Sequence, residues 1–312
     1  MAILKKKLAI AVDLGATNLR VALVSSTGKI LKKAKEETAK TGKDGSVVTN
    51  QIIHLIHEVA KEIDPRKVAG IGISSIGPLD YDKGGPLNSP NIPFSFIPLV
   101  KPLEKEFGLP VHLLNDANAA VLGEKYFGAG KRVTNLVYIT ISTGIGGGAI
   151  VDGKLLFGRG GNAAEIGHMI VDTTYNLSCT CRKGIGHWEA LSSGTNLPRF
   201  FRVWQEHTDK KDIMQVQTAK EIFDLARRKN ATALDFLDEL AKVNARAISN
   251  IIVAYDPELI TIGGSVALNN PEFLLPGIEA KIDHYLEMPR ICVTNLGDDI
   301  VVLGAASSVF QK

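Results

Sequence analysis

The chain has 312 residues, 45% hydrophobic and 22% charged, with a formal net charge of +3. This is ordinary globular composition, long enough for two domains; it excludes disordered and fibrous classes, and so small a net charge argues against nucleic acid. Three cysteines exclude a disulfide framework, and no apolar run is long enough to span a bilayer.

In chain order, the apolar runs at 8–12, 19–24 and 30–33 predict three consecutive antiparallel strands, with Ser26-Thr27-Gly28-Lys29 as a hairpin turn. Basic residues at 1–7, among them Lys5-Lys6-Lys7, precede the first run. Asp13 ends that run too early for a secretory leader. A cytoplasmic protein with no membrane partner is expected, and Lys5–Lys7 reads as solvated surface. Residues 46–63 have helical spacing, stopped by Asp64-Pro65, and 68–74 is a short strand. The stretch 77–98 is rich in Gly, Pro, Asn and Ser and reads as a long irregular segment. A helix at 99–107, a strand at 111–114 and an Ala-rich helix at 117–126 follow.

The pattern then restarts. Residues 136–141 read as strand, 142–148 as a glycine-rich turn and 149–151 as strand, with Asp152-Gly153 as a hairpin signal. Helices are expected at 218–228 and 232–255, strands at 259–262 and 300–303, and a final helix at 304–310. Two halves that each begin with strands around a small-residue turn suggest a duplicated α/β fold. A cleft between its halves is a natural ligand site.

Familiar nucleotide signatures are incomplete. Gly128-Ala129-Gly130-Lys131 lacks the remainder of a P-loop, and the 144–149 run lacks full Gly-x-Gly-x-x-Gly spacing. The turn Asp13-Leu14-Gly15-Ala16-Thr17-Asn18 is either an ordinary hairpin or a phosphate site, with close backbone approach at Gly15, a hydroxyl at Thr17 and a charge at Asp13. The three consecutive glycines at 146–148 are poor strand material and suit a backbone lying against a ligand. Asp116, between a strand and a helix, is a candidate general base or a helix N-cap. Cys179, Cys181, His168 and His187 form either a Cys2His2 zinc site or a set of reduced thiols and surface imidazoles. Cys292 reads as a small buried hydrophobe, and Phe94 as either a wall of a ligand site or core.

Five motifs in order, Asp13-Leu14-Gly15-Ala16-Thr17, Leu114-Asn115-Asp116-Ala117-Asn118-Ala119, Thr143-Gly144-Ile145-Gly146-Gly147-Gly148, Glu165-Ile166-Gly167-His168 and Cys179-Thr180-Cys181, resemble the ROK family of repressors, open reading frames and sugar kinases. The resemblance covers nearly the whole chain. It implies an α/β fold of the duplicated actin-like ATPase (hexokinase) type, with two lobes around a central cleft. The lobes are expected at 1–117, with a C-terminal helix at about 301–312 packing back on it, and at 118–300. Because the phosphate-type turn begins at Asp13, the enzyme class is expected over the winged-helix repressor class.

The resemblance further implies an ATP-dependent hexose 6-kinase. Asp116 would be the general base, and Gly77, Asn91, Asn115, Glu165, His168 and Glu189 would bind the sugar beside it. Asp13, Gly15 and Thr17 would face phosphate and Mg²⁺. Thr143 and Gly144 would hold phosphates, and Gly263 and Gly264 would receive adenosine. His168, Cys179, Cys181 and His187 would hold a structural Zn²⁺, although the family's third Cys is His187 here and one residue is inserted before it. Gly77-Pro78 and Ser89-Pro90-Asn91-Ile92-Pro93 resemble the sugar loop of glucokinase-type members, so glucose is expected, with broad hexose acceptance. The alternatives are an N-acetylmannosamine or N-acetylglucosamine kinase, or a non-enzymatic sugar-sensing protein. A homodimer or homotetramer is implied as well.

Overall fold

The computed structural model describes residues 7–208 and 213–311. Lys5 and Lys6 of the basic run, and Lys312 at the end of the expected last helix, lie outside the described residues. The chain divides into two units: Met1–Arg132, Leu155–Ala163 and Asp298–Lys312 make the first, Val133–Lys154 and Ala164–Gly297 the second.

The first unit opens with β1 (Leu8–Leu14), β2 (Asn18–Ser25) and β3 (Ile30–Glu37), joined as antiparallel neighbours. β1 is apolar and buried along most of its length, which suits the middle of a sheet. β3 carries Lys32, Lys33, Lys35, Glu36 and Glu37 on the outer edge, where charge blocks pairing with another chain. Helix α1 (Ser46–Ala60) buries Val48, Ile52, Leu55, Ile56 and Val59, a stripe with helical period, against this core. Strand β4 (Val68–Ser75) lies parallel to β1. The segment expected to be irregular contains a small ladder, β5 (Leu79–Asp80) with β6 (Gly85–Pro86). Helix α2 (Val100–Phe107) stops at Gly108, whose left-handed φ of 62° only glycine takes freely. Strand β7 (Val111–Asn115) then feeds helix α3 (Asp116–Phe127), and the sheet order is β3-β2-β1-β4-β7.

The second unit repeats this order. Strands β8 (Leu136–Ile141), β9 (Ile145–Val151) and β10 (Lys154–Leu155) begin it. The helices α4 (Trp188–Ser192), α5 (Leu197–His207), α6 (Ala219–Arg227) and α7 (Ala231–Tyr255) follow. Then come β11 (Leu259–Gly263), α8 (Ser265–Asn269), α9 (Pro271–Glu279) and β12 (Arg290–Val293). The sheet runs β10-β9-β8-β11-β12, with β11 parallel to both β8 and β12. An aromatic cluster stabilises the helical layer: Phe236 packs on Phe200, Phe201 and Trp204 at centroid distances of 5.1, 4.9 and 5.5 Å. The buried Trp188 indole donates to Asn244 Oδ1 at 2.8 Å, which locks α4 onto α7.

The last helix, α10 (Ile300–Phe310), returns to the first unit. Its first residues were expected to form a strand; the run Ile-Val-Val-Leu is instead the opening turn of a buried helix, and short apolar runs do not distinguish the two. A Cβ on Gly304 would collide with the backbone of Ala119, and one on Gly123 would stand 2.5 Å from Ile300 O. The small residues of α3 and α10 therefore permit near backbone contact. That contact keeps α3 in the first unit, so the division falls after Arg132 and not at the expected 117/118.

The glycines at 146–148 need a second correction. They are not in a turn but in β9, paired with Thr140, Ile139 and Tyr138 of β8. A Cβ on Gly147 would strike Ile166, and one on Gly167 would strike Ile145 O. The missing side chains let the 164–168 segment lie flush on the sheet; of the run read as a turn, only residues 142–144 precede β9.

Candidate active site

The β1–β2 turn carries Asp13 and Thr17 in the first unit. The hairpin register sets Asp13 directly opposite Arg20. Arg20 grips one carboxylate oxygen, Nη2 at 2.6 Å and Nε at 2.8 Å from Oδ2, and also donates to Asp298 O at 2.8 Å. Burial pushes the Asp13 carboxyl up from its ordinary range, and the Arg20 guanidinium opposes that shift. Gly15 N donates to Asn18 O at 3.0 Å, and Thr38 Oγ1 donates to Gly15 O at 2.8 Å, so the turn is braced from both sides. With Lys35 and Asp298, these residues line a concavity of about 420 Å³. Arg20 is a site residue that the sequence reading missed. The cross-strand pairing implied by a tight β1–β2 hairpin would have found it.

At the C-terminal end of β7, Asn115 and not Asp116 caps α3. Its Oδ1 accepts from Asn118 N at 2.7 Å. Its Nδ2 donates to Gly161 O at 3.0 Å, and Asn118 Nδ2 adds a second donor to the same oxygen at 3.3 Å. Gly161 has φ +75°, and a Cβ there would collide with the Tyr81 ring. Tyr81 also packs edge-on against Phe157 at 4.7 Å, and burial pushes its phenol up to about 12. Asp116, the first residue of α3, is exposed and accepts from Ala117 N at 2.9 Å. A carboxylate there is stabilised by the positive end of the helix. Gly77 and Asn91 are exposed in the 77–98 segment, whereas Phe94 packs against the first unit's core.

In the second unit the turn at 142–144 is held by its neighbours. Gly194 N donates to Ser142 O at 2.7 Å, Thr195 N to Thr143 O at 3.3 Å, and the Ser142 and Ser265 hydroxyls lie 3.0 Å apart. Thr143, Thr195, Arg227, Ser265 and Asn270 are among the walls of a cavity of about 650 Å³, well within the size of small-ligand sites. Gly264 has φ +88°, and a Cβ on Gly263 would collide with the Tyr138 hydroxyl. The two glycines thus end β11 and start α8, while Ser265 and Val266 form the wall itself. Arg227 was not expected from the sequence. Its Nη2 donates to Asn269 O, Asn270 Oδ1 and Glu272 Oε1, each at 2.8 Å. No local motif marks that role.

The same unit brings together His168, Cys179, Cys181 and His187. One ligand atom from each lies within 4.8 Å of all the others. Cys181 Sγ is 3.6 Å from His187 Nδ1; two such ligands on one tetrahedral zinc would be separated by about 3.5 Å. The thiolate and imidazole donors suit Zn²⁺, and the extra residue before His187 does not prevent convergence. Gly184 is required here, because a Cβ would overlap the His187 ring. Burial raises the Cys179 thiol and lowers the His187 imidazole, the latter aided by His168. Glu165 and His168 are exposed, with Oε2 3.6 Å from Nδ1. Glu189, in the first turn of α4, accepts from Ile145 N and from Thr180 Oγ1, both at 2.9 Å.

The profile of the ROK family matches residues 9–312. The chain belongs to the ROK family. A glucokinase from Pyrobaculum calidifontis is 37% identical over 304 residues, which span 97% of this chain and 95% of that protein. The crystal structure of a ROK hexokinase from Thermus thermophilus superposes with a TM-score of 0.82 at 30% identity, covering 97% of this chain and 98% of that one. A ROK glucokinase from Streptomyces griseus, in complex with glucose and AMPPNP, gives a TM-score of 0.75 at 30% identity, covering 98% of this chain and 100% of that one. The fold of this ROK protein is therefore the duplicated actin-like ATPase fold, visible as two five-stranded sheets of matching strand order. Among the described residues, no helix is long and apolar enough to cross a membrane.

Proposed function

We propose that this ROK protein is an ATP-dependent glucokinase that transfers the γ-phosphoryl group of ATP to the 6-hydroxyl of glucose. The observation that carries the reading is the exposed Asp116 carboxylate, held at the start of α3 by the Asn115 cap and the Asn115–Gly161 hydrogen bond. A base of this kind takes the hydroxyl proton as oxygen attacks phosphorus, and phosphoryl transfer otherwise demands positioning and charge neutralisation. The glucokinase relatives support glucose as the acceptor and ATP as the donor.

Each remaining residue has a role suited to its chemistry. Gly77, Asn91, Asn115, Glu165, His168 and Glu189 offer polar groups for sugar hydroxyls. The carboxylate of Glu189 has four lone-pair sites and can accept from a sugar while keeping its three protein donors, Ile145 N, Thr180 Oγ1 and the Cys179 thiol. Asp13, Gly15 and Thr17 offer a carboxylate, a close backbone and a hydroxyl. Hard oxygen donors of this kind, with Arg20 gripping only Oδ2 of Asp13, fit a Mg²⁺ ion carried by ATP phosphates. Mg²⁺ supplies charge neutralisation on the transferring phosphoryl group. Thr143 and Gly144 would face phosphates, and the cavity following Gly263 and Gly264 would take adenosine. His168, Cys179, Cys181 and His187 would hold a structural Zn²⁺ that fixes the loop bearing His168 and Glu189. Three cysteines, too few for a disulfide framework, fit a reducing compartment, and we read the protein as cytoplasmic.

The test is a coupled kinase assay with Mg-ATP across glucose, mannose, glucosamine, N-acetylglucosamine, N-acetylmannosamine and fructose. Glucose should give the highest kcat/KM. Preference for an N-acetylhexosamine would reassign the sugar, and inactivity on all six would overturn the kinase reading.

A further inference from the structure

Glu189 spans two segments that lie far apart in sequence. Its Oε1 accepts from the hydroxyl of Thr180, between Cys179 and Cys181, at 2.9 Å and more weakly from the Cys179 thiol at 3.8 Å, and its Oε2 accepts from Ile145 N, immediately after the turn at Thr143-Gly144. Ile145 is buried and stands at the turn end of β9, and its N–H is satisfied by this carboxylate. A Cβ on Gly144 would stand 2.6 Å from Glu189 Oε2, so the glycine is what allows the carboxylate this close. Helix α4, which carries Glu189, is itself fixed by the buried Trp188–Asn244 hydrogen bond. The Thr180 and Ile145 contacts have a charged acceptor, which makes them stronger than neutral hydrogen bonds.

We infer that Thr180 and Glu189 form a strut tying the His/Cys cluster to the phosphate turn, through which metal occupancy of the cluster and nucleotide binding at the turn are linked. Thr180 is a positioning residue: its hydroxyl orients Glu189, and Glu189 sets the backbone at Ile145. This rests on the proposed zinc and nucleotide sites. Linkage of this kind is reciprocal, so nucleotide must stabilise the metal by the same factor that metal strengthens nucleotide binding.

The experiment uses the full-length protein with Thr180→Val, which keeps the side-chain shape but removes the hydroxyl, and Thr180→Ser, which restores it. Zinc release to a chromogenic chelator is followed with and without a non-hydrolysable ATP analogue, and KM is measured for ATP and for glucose. In the parent protein the analogue should slow zinc release. Thr180→Val should weaken that protection and raise KM for ATP between about three- and tenfold, the range one hydrogen bond supplies. Thr180→Ser should recover both. Zinc release indifferent to nucleotide, or an unchanged KM for ATP in a zinc-loaded Thr180→Val protein, would overturn the strut. Freshly purified protein free of zinc would overturn the metal reading and the linkage with it, and a parent protein without affinity for the analogue would overturn the nucleotide reading.

Discussion

The Asn115 side-chain amide donates to the carbonyl oxygen of Gly161 at 3.0 Å, which joins the strand end beside Asp116 to a loop far along the chain. Gly161 can play this part only as glycine, with φ +75° and its Cα against the Tyr81 ring. Gly161→Ala should cost about 1–3 kcal/mol, the usual range for forced backbone strain. It should also lower kcat, because Asn115 loses its anchor. Thermal melts and steady-state kinetics on the same preparation would check both; an alanine variant with parental Tm would show that the loop is not constrained in this way.

Asp116→Asn keeps the shape of the side chain and removes its basicity. Its kcat should fall by about 10²–10⁴, the usual contribution of a positioned base, while glucose affinity is largely retained. Calorimetric titration with glucose alongside the kinase assay separates the two effects. A variant with near-parental kcat would require another base.

Gly147→Ala introduces a methyl group where Ile166 packs on β9. The overlap should cost about 1–3 kcal/mol, as overpacking does, and displace the segment carrying Glu165 and His168. KM for glucose should rise with little change in KM for ATP. Alanine at the neighbouring Gly153, an open position whose φ is +73°, would cost strain alone and serves as the control.

Cys181→Ser removes one donor from the four-residue cluster. Zinc content should fall well below one equivalent and Tm should drop with it, and added chelator should lower the parent protein's Tm toward that of the variant. Elemental analysis beside a melting curve tests this directly. Equal zinc in variant and parent would remove Cys181 from the ligand set.

Asp172 and Arg246 form an ion pair in the second unit. Burial alone would raise the Asp172 carboxyl, but hydrogen bonds from Thr174 and the Arg246 charge outweigh it and hold the group below its ordinary value of 3.8. A depressed folded-state pKa contributes stability that is present above 3.8 and lost as pH falls through the folded value. Asp172→Asn should therefore be destabilised at pH 7 by about 1–2 kcal/mol, a charged hydrogen bond reduced by screening. The gap between variant and parent should begin to narrow below about pH 4 and go on narrowing as pH falls through the depressed folded value. Denaturant midpoints at pH 7, 5 and 3 would show the convergence; a gap constant across that range would exclude the ion pair as its source.

Much of the scaffold was legible because its signals are local. Apolar runs and turn residues placed β1, β2, β8 and both hairpin turns, at Gly28 and Asp152-Gly153. Helical spacing placed α1, α6 and α7 within a few residues. The glycines of β9 were read as ligand-facing because their actual neighbour, Ile166, arrives from a later segment. Arg20 was overlooked although strand register places it across from Asp13, and Arg227 was beyond reach because its partners are supplied by α8 and α9.

Sequence alone determined which chemical groups this protein owns and in what order: the acid–glycine–threonine turn, the Asn115-Asp116 pair and the Cys and His residues, enough for membership of the ROK family. Those are choices of residue type, and local period and motif expose them. Tertiary structure decided which groups meet. It gave the helix cap to Asn115, set Arg20 on Asp13, drew His168, Cys179, Cys181 and His187 within 4.8 Å, and hung Glu189 between Thr180 and Ile145. Most of those meetings depend on close packing of segments remote in sequence, through glycines whose missing side chains have no local signature.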